Sequence, residues 1–434
     1  MRRVFSQSHV AGAVAAALLA VGAQAHGAGF ELYEQSPQGT AMAGANVAKA
    51  DDASAVFYNP AGMAMMDGGS AMIGGAYATQ GFQLTTAGMN PTTVNSQQGN
   101  FFLPTVYLTQ HIGRYVAVGF GAFTQYGAGV DWTGGAQPFP GRFVVDKINL
   151  ETVTLNPAIA FRPVDFIAFA AGLDVTLGSL DYTRGVQFAD QEGTARVGGS
   201  GTTVGFNVGV LVKVVPRWLQ AGFSYRSGST MDADLLAHFE APLELKDQVY
   251  DQKGKTSLVF PHNFTLGLAA FPLRNLTITA DVHVTLWSDF QELAVTFPDG
   301  KTPGFSSYQG WKDEWSVRVG GEYLIGPVAL RLGLGYGAGA IPLEYFQPSV
   351  PVGDKVLVAG GVGYKFRGFG VGVGYMAGIT LQAKSTYTEF PATYSTGVGH
   401  IVNVALSYEW GRKPCEGCCA HCAPSGGDHT GAAK

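Results

Sequence analysis

The chain reads as an all-β membrane protein, a transmembrane antiparallel β-barrel of about 14 strands with an N-terminal hatch inside the lumen. Three observations lead there. Of 434 residues, 46% are hydrophobic and only 14% are charged, against roughly 25% charged in an ordinary soluble domain. After residue 25 no uninterrupted apolar run approaches the roughly 18 residues that a membrane-spanning helix requires. Apolar and small or polar residues instead alternate with period two along most of the chain. A closed barrel is the one strand architecture that satisfies every backbone group in lipid. The 61 glycines, about 14% of the chain and near double the usual 7% or so, suit its turns and a crowded inner face.

Taken in order, residues 1–25 read as a secretory signal. Arg2 and Arg3 give a positive start, residues 11–21 are apolar but too short to span, and Ala23-Gln24-Ala25 is a cleavage site. The mature chain then starts at His26. Residues 26–69 are a Gly/Ala-rich, irregular stretch whose tightest turn signal is Asn59-Pro60-Ala61. A wide barrel leaves a water channel unless something fills it. These 44 residues are the candidate plug, since Phe30, Leu32, Tyr33, Val56, Phe57 and Tyr58 would be wasted in a solvated leader.

Residues 70–410 are the expected barrel. Between 167 and 177 the odd positions are Ile167, Phe169, Ala171, Leu173, Val175 and Leu177, and the even ones are small or polar. The same alternation runs through 203–214 and 276–286. Each run is long enough to cross a bilayer at the usual tilt, which takes about 9 to 11 residues. Weaker runs at 71–80, 101–111, 115–126, 146–162, 218–226, 256–271, 314–324, 328–337, 355–366, 369–376 and 399–410 bring the candidate strands to 14. Short links at 112–114, 162–165, 215–217, 271–275, 325–327 and 366–368 alternate with long polar ones. That pattern fits periplasmic turns and external loops, and an even strand number leaves both termini in the periplasm. Tyr408 and Trp410 close the last strand with interfacial aromatics.

Residues 411–434 are a Cys-rich tail holding all four cysteines, Cys415, Cys418, Cys419 and Cys422. With His421 they are a weak candidate metal site and suit disulfides equally. None can staple the barrel. The net charge of −5, with no long basic run, argues against nucleic acid.

Several stretches in register resemble the FadL/TodX family of outer-membrane channels for long-chain fatty acids and hydrocarbons. They are AGFELYEQS from Ala28, ADDAS at 50–54, the Asn59-Pro60-Ala61 turn, FTQYGAGVDW (123–132), LWSDFQELAVTF (286–297), GWKDEWSVRVG (310–320) and GVGVGYM (370–376). The resemblance implies a monomeric 14-stranded barrel in the outer membrane, a hatch blocking its lumen, an external capture groove and a deeper pocket. It also implies passive transport by hatch rearrangement and a lateral opening beside an inward kink in the third strand. By the same resemblance Phe30 reaches the pocket, Arg184 and Lys312 face a ligand carboxylate, and Gly127 and Gly129 are candidates for the kink.

The expected ligand is a long-chain fatty acid or another hydrophobic small molecule, with membrane lipid as the other neighbour and no cofactor. The loops expected to form the capture groove, about 128–145 and 178–203, are not matched to the family as a whole, so an aromatic hydrocarbon stands as the alternative substrate. A general porin or surface receptor is the blander reading. An enzyme is not expected: His400 and Ser407 lie seven residues apart in one strand, on opposite faces, and no convincing catalytic pair appears elsewhere.

Overall fold

Alternating sequence makes two-faced strands, and here the faces are reversed from those of a soluble protein. In a computed structural model describing residues 30–188, 191–240, 250–298 and 304–411, Leu332 is 72% exposed whereas Asp281 is 1% exposed. Apolar side chains point outward and polar ones inward, the arrangement lipid demands. No helix among the described residues is long and apolar enough to cross a membrane. The signal segment and the four tail cysteines lie outside the described residues.

The wall is a closed antiparallel barrel of 14 strands. They are β1 (Gly69–Gln80), β2 (Gly99–Ile112), β3 (Val116–Phe123 and Gly127–Asp131), β4 (Lys147–Val164), β5 (Ile167–Phe188), β6 (Gln191–Val215) and β7 (Leu219–Arg226 and Ser229–Glu240). Then follow β8 (Gln252–Phe260 and Asn263–Leu273), β9 (Leu276–Thr285 and Glu292–Thr296), β10 (Phe305–Tyr308 and Glu314–Ile325), β11 (Val328–Gly337), β12 (Lys355–Phe366), β13 (Phe369–Thr380) and β14 (Gly397–Trp410). Closure comes from β1 and β14, paired from Gly69↔Trp410 to Thr79↔His400. Gly113 and Gly326, with φ of 66° and 56°, supply the left-handed residues that two of the tight turns need.

Two boundaries differ from the sequence expectation. Residues 178–203, expected as a loop, continue β5 and β6 as a ribbon paired out to Phe188↔Gln191. The apolar alternation fades where lipid ends, but backbone pairing does not need it. The run at 256–271 is broken at Pro261 and His262, because proline cannot donate to a ladder.

At the long-loop end the β1–β2 and β13–β14 loops join in a small sheet of their own. Gln83–Thr86 lies between Thr93–Asn95 and Ala392–Tyr394. Leu84, Phe390 and Tyr394 pack beneath it with Phe346 and the stacked Trp132–Phe139 pair, whose centroids are 4.8 Å apart. This sheet roofs the barrel.

Candidate ligand site

The segment before β1 sits inside the ring. Apart from half-buried Tyr33 and exposed Asp51, every residue from Phe30 to Ala64 is buried. Its short helices are α1 (Pro37–Ala41), whose Ser36 cap accepts from Gly39 N at 3.1 Å, and α2 (Ala55–Tyr58). A 3-10 turn follows at Pro60–Met65, capped by Asn59. Gly333 and Gly374 let this segment seat flush, because a Cβ at either would overlap the Met42 or Pro37 backbone.

Polar bonds hold the segment on all sides. Asn59 Nδ2 donates to Val47 O and to Val210 O of β6, each at 3.0 Å. Val47 N donates to Asp281 Oδ2 of β9 at 2.9 Å, and Asn403 of β14 donates to Glu34 O at 2.7 Å. Lys49 pairs with Glu322 at 3.2 Å, and Glu322 with Arg331 at 2.7 Å, so these buried charges compensate one another. Arg318 lies over the Tyr33 ring, 4.1 Å from its centroid. Burial pushes the Glu34 carboxyl up to about 7, with Arg318 and Lys355 pulling the other way.

One seam of the wall is incomplete. β2 and β3 pair from Ile112↔Val116 only as far as Val106↔Ala122. Beyond that β3 keeps β4 alone, and its register slips by one between Phe123↔Thr154 and Gly127↔Glu151. That extra residue is a bulge, which bends a strand and ends its pairing. The freed backbone turns to the N-terminal segment. Leu32 N donates to Gln125 O and Gly127 N to Phe30 O, both at 2.8 Å, around a Glu31–Tyr126 bridge.

Directly at this junction the Phe30 ring is enclosed by five others. Trp287 lies at 4.5 Å between centroids, Phe290 and Trp311 at 5.8 Å, Tyr126 at 6.1 Å and Phe260 at 6.3 Å. Phe30 also lines a cavity of about 700 Å³ toward the long loops, within the roughly 300–1,000 Å³ of small-molecule sites. Its apolar walls include Ile148, Leu180, Leu258, Phe290 and Leu293, and its polar groups include Arg184, Tyr182, Tyr387, Glu344 and Glu389. A second space, of about 380 Å³, opens beside the short turns and carries Lys49, Glu322, Arg331 and Lys365.

The residues expected from sequence fall as follows. Phe30 and Arg184 line one cavity, and the Arg184 guanidinium sits 5.6 Å from the Phe305 centroid. Lys312 does not join them. It is exposed and its backbone N donates to Ala340 O, because its neighbour Trp311 takes the inward position in the aromatic cluster. The interruption of β3 lies at Thr124 to Tyr126, just before Gly127 and Gly129, which belong to the paired segment Gly127–Asp131. Asn59 caps the turn that Pro60 and Ala61 open, accepting from Ala61 N at 3.2 Å. Glu344, Tyr387 and Glu389 were not anticipated, since isolated polar residues in long loops carry no periodic signal.

The family described as "Outer membrane protein transport protein (OMPP1/FadL/TodX)" matches residues 18–409 of the chain. The long-chain fatty acid transport protein of Salmonella typhi is 25% identical over 407 residues, covering 85% of this chain and 92% of that relative. Its counterpart from Escherichia coli O6:H1 is 26% identical over 434 residues, covering 88% and 94%. Among solved structures, a Pseudomonas aeruginosa FadL homologue superposes with a TM-score of 0.77 at 19% identity, over 88% of this chain and 100% of that one. The P. putida toluene transporter TodX gives 0.69 at 16% identity, over 88% and 100%. At these identities the structural likeness establishes the fold alone.

Proposed function

Because this chain belongs to the outer membrane protein transport family (OMPP1/FadL/TodX), we propose that it carries hydrophobic compounds, long-chain fatty acids foremost, passively across the outer membrane. The relatives named above are fatty acid transport proteins. In this reading residues 26–69 are a hatch, 70–410 the barrel and 411–434 a periplasmic tail. Both termini face the periplasm, the molecule works as a monomer, and no catalysis is involved.

One observation carries the mechanism: Phe30 lines the cavity and its carbonyl also accepts from Gly127 N, at the border of the incomplete seam. Ligand that displaces Phe30 therefore loosens the strand beside the gap. Filling the cavity with about fifteen methylenes at roughly 0.8 kcal/mol each yields on the order of 12 kcal/mol, before entropy and desolvation offset it. That is enough to drive such a rearrangement, and Arg184 is then the partner of the head group. A second reading, an aromatic hydrocarbon as substrate, is supported by the box of rings that now encloses the benzyl group of Phe30.

The test is growth of a deletion strain on oleate and on toluene, complemented with wild type or Arg184→Ala. Oleate growth that needs the protein and is impaired by Arg184→Ala is expected. Dependence on toluene alone selects the second reading, and dependence on neither rejects both.

A further inference from the structure

The cavity has one cation among its described lining residues, Arg184, and two carboxylates, Glu344 and Glu389. Transport of an apolar chain assigns no task to those carboxylates. Arg184 and Tyr182 stand two residues apart on β5, which places them on one side of the strand. Tyr387 and Glu389 face the same space from the β13–β14 loop. The four groups are electrostatic neighbours. Burial pushes the Tyr387 hydroxyl up to about 12, Glu389 reinforces the shift, and Arg184 opposes it. A carboxylate brought to half-buried Arg184 therefore enters the field of the exposed Glu389 at the cavity's edge, where like charges repel.

We propose that Glu389 is a specificity-determining residue of this cavity: its carboxylate competes with an anionic head group for Arg184. It thereby holds down affinity for ionised fatty acids and leaves affinity for neutral analogues unchanged. A passive route gains from this, because a ligand bound too tightly does not leave. Discrimination by a repulsive group is a general device of specific sites. The inference rests on the reading that Arg184 faces the head group.

The test uses the full mature protein in lipid nanodiscs at pH 8, titrated with oleate and with methyl oleate while tryptophan fluorescence is followed. Variants are Glu389→Gln, Glu344→Gln and Arg184→Gln, each first checked for heat-modifiable barrel mobility. Glu389→Gln is expected to tighten oleate about threefold, the scale of a partly exposed charge pair, and to leave methyl oleate unchanged. Arg184→Gln is expected to weaken oleate alone. If Arg184→Gln weakens oleate but Glu389→Gln changes nothing, or changes both ligands equally, the inference fails and the head-group reading stands. An equal gain for oleate in Glu344→Gln assigns the effect to overall charge and overturns the role of Glu389. If Arg184→Gln leaves oleate binding intact, the head-group reading fails and the inference falls with it.

Discussion

Two seams of the same wall use their backbone differently. The β1–β14 seam is laddered without interruption from Gly69↔Trp410 to Thr79↔His400. At the β2–β3 seam the ladder ends at Val106↔Ala122, and the backbone around Gln125 bonds to Phe30 and Leu32 instead. Nearly every buried backbone group in a protein is paired, so a gap in a barrel wall needs substitute partners. Here a segment from another part of the chain supplies them. A closed seam is thus permanent, and the open one is as stable as the docking of the segment that completes it.

The contrast is broken most severely by proline. Pro104 already lies in the upper part of β2, where β3 has left it, whereas Ala76 of β1 pairs with Asn403 on one side and Leu103 on the other. Ala76→Pro places a residue without an N–H between two paired neighbours, and is expected to abolish the folded, heat-modifiable band on gels. Pro104→Ala is expected to leave that band in place. Next in size is deletion of Gln125, which removes the extra residue of the bulge and lets β3 run in register with β4. Labelled oleate uptake should fall to the level of cells lacking the protein while folding persists, and undiminished uptake would detach the gap from transport.

A smaller effect is expected from Asn59→Ala. It removes the bonds to Val47 O and Val210 O, worth about 1–3 kcal/mol when a buried partner is left unpaired. Faster hydrogen exchange across residues 45–62, with the wall unchanged, is the expected readout.

The same docking is also pH-dependent. The docked value of Glu34, about 7, lies above its ordinary 4.5, so the docked segment holds a proton that the released one gives up. Docking is fully supported below about pH 4.5, weakens as pH rises through about 7, and levels off beyond. Limited proteolysis of the N-terminal segment should therefore be faster at pH 8 than at pH 5, and Glu34→Gln should flatten the difference.

All 14 wall strands were legible in the sequence, because alternation such as that of residues 276–286 is imposed by lipid on one side and lumen on the other. The upper halves of β5 and β6 carry no such alternation: their inner side mixes apolar Leu180 with polar Tyr182 and Arg184 at the cavity, and Gly, Ser and Thr dilute the rest. The break in β3 was anticipated from Gly127 and Gly129 but falls at Thr124 to Tyr126. Its cause is a bulge stabilised by a distant segment, which local composition does not encode. Phe30 and Arg184 were found through resemblance and do share a cavity. Lys312 matched the same pattern yet faces solvent, since the inward place is taken by Trp311. Glu389 left no local trace, because a loop carboxylate acquires meaning only from what lies opposite it.

The pairing of β1 with β14 also fixes an order of events. The ring joins the first strand made to the last, so it cannot shut until residue 410 exists, while residues 30–64 precede every strand. The contents of the lumen are synthesised before their container, as a ship is placed before its bottle is sealed. The ladder that seals the wall can therefore form around a segment already made. Moving the same segment behind β14 would instead tether it to the strand that completes the ring.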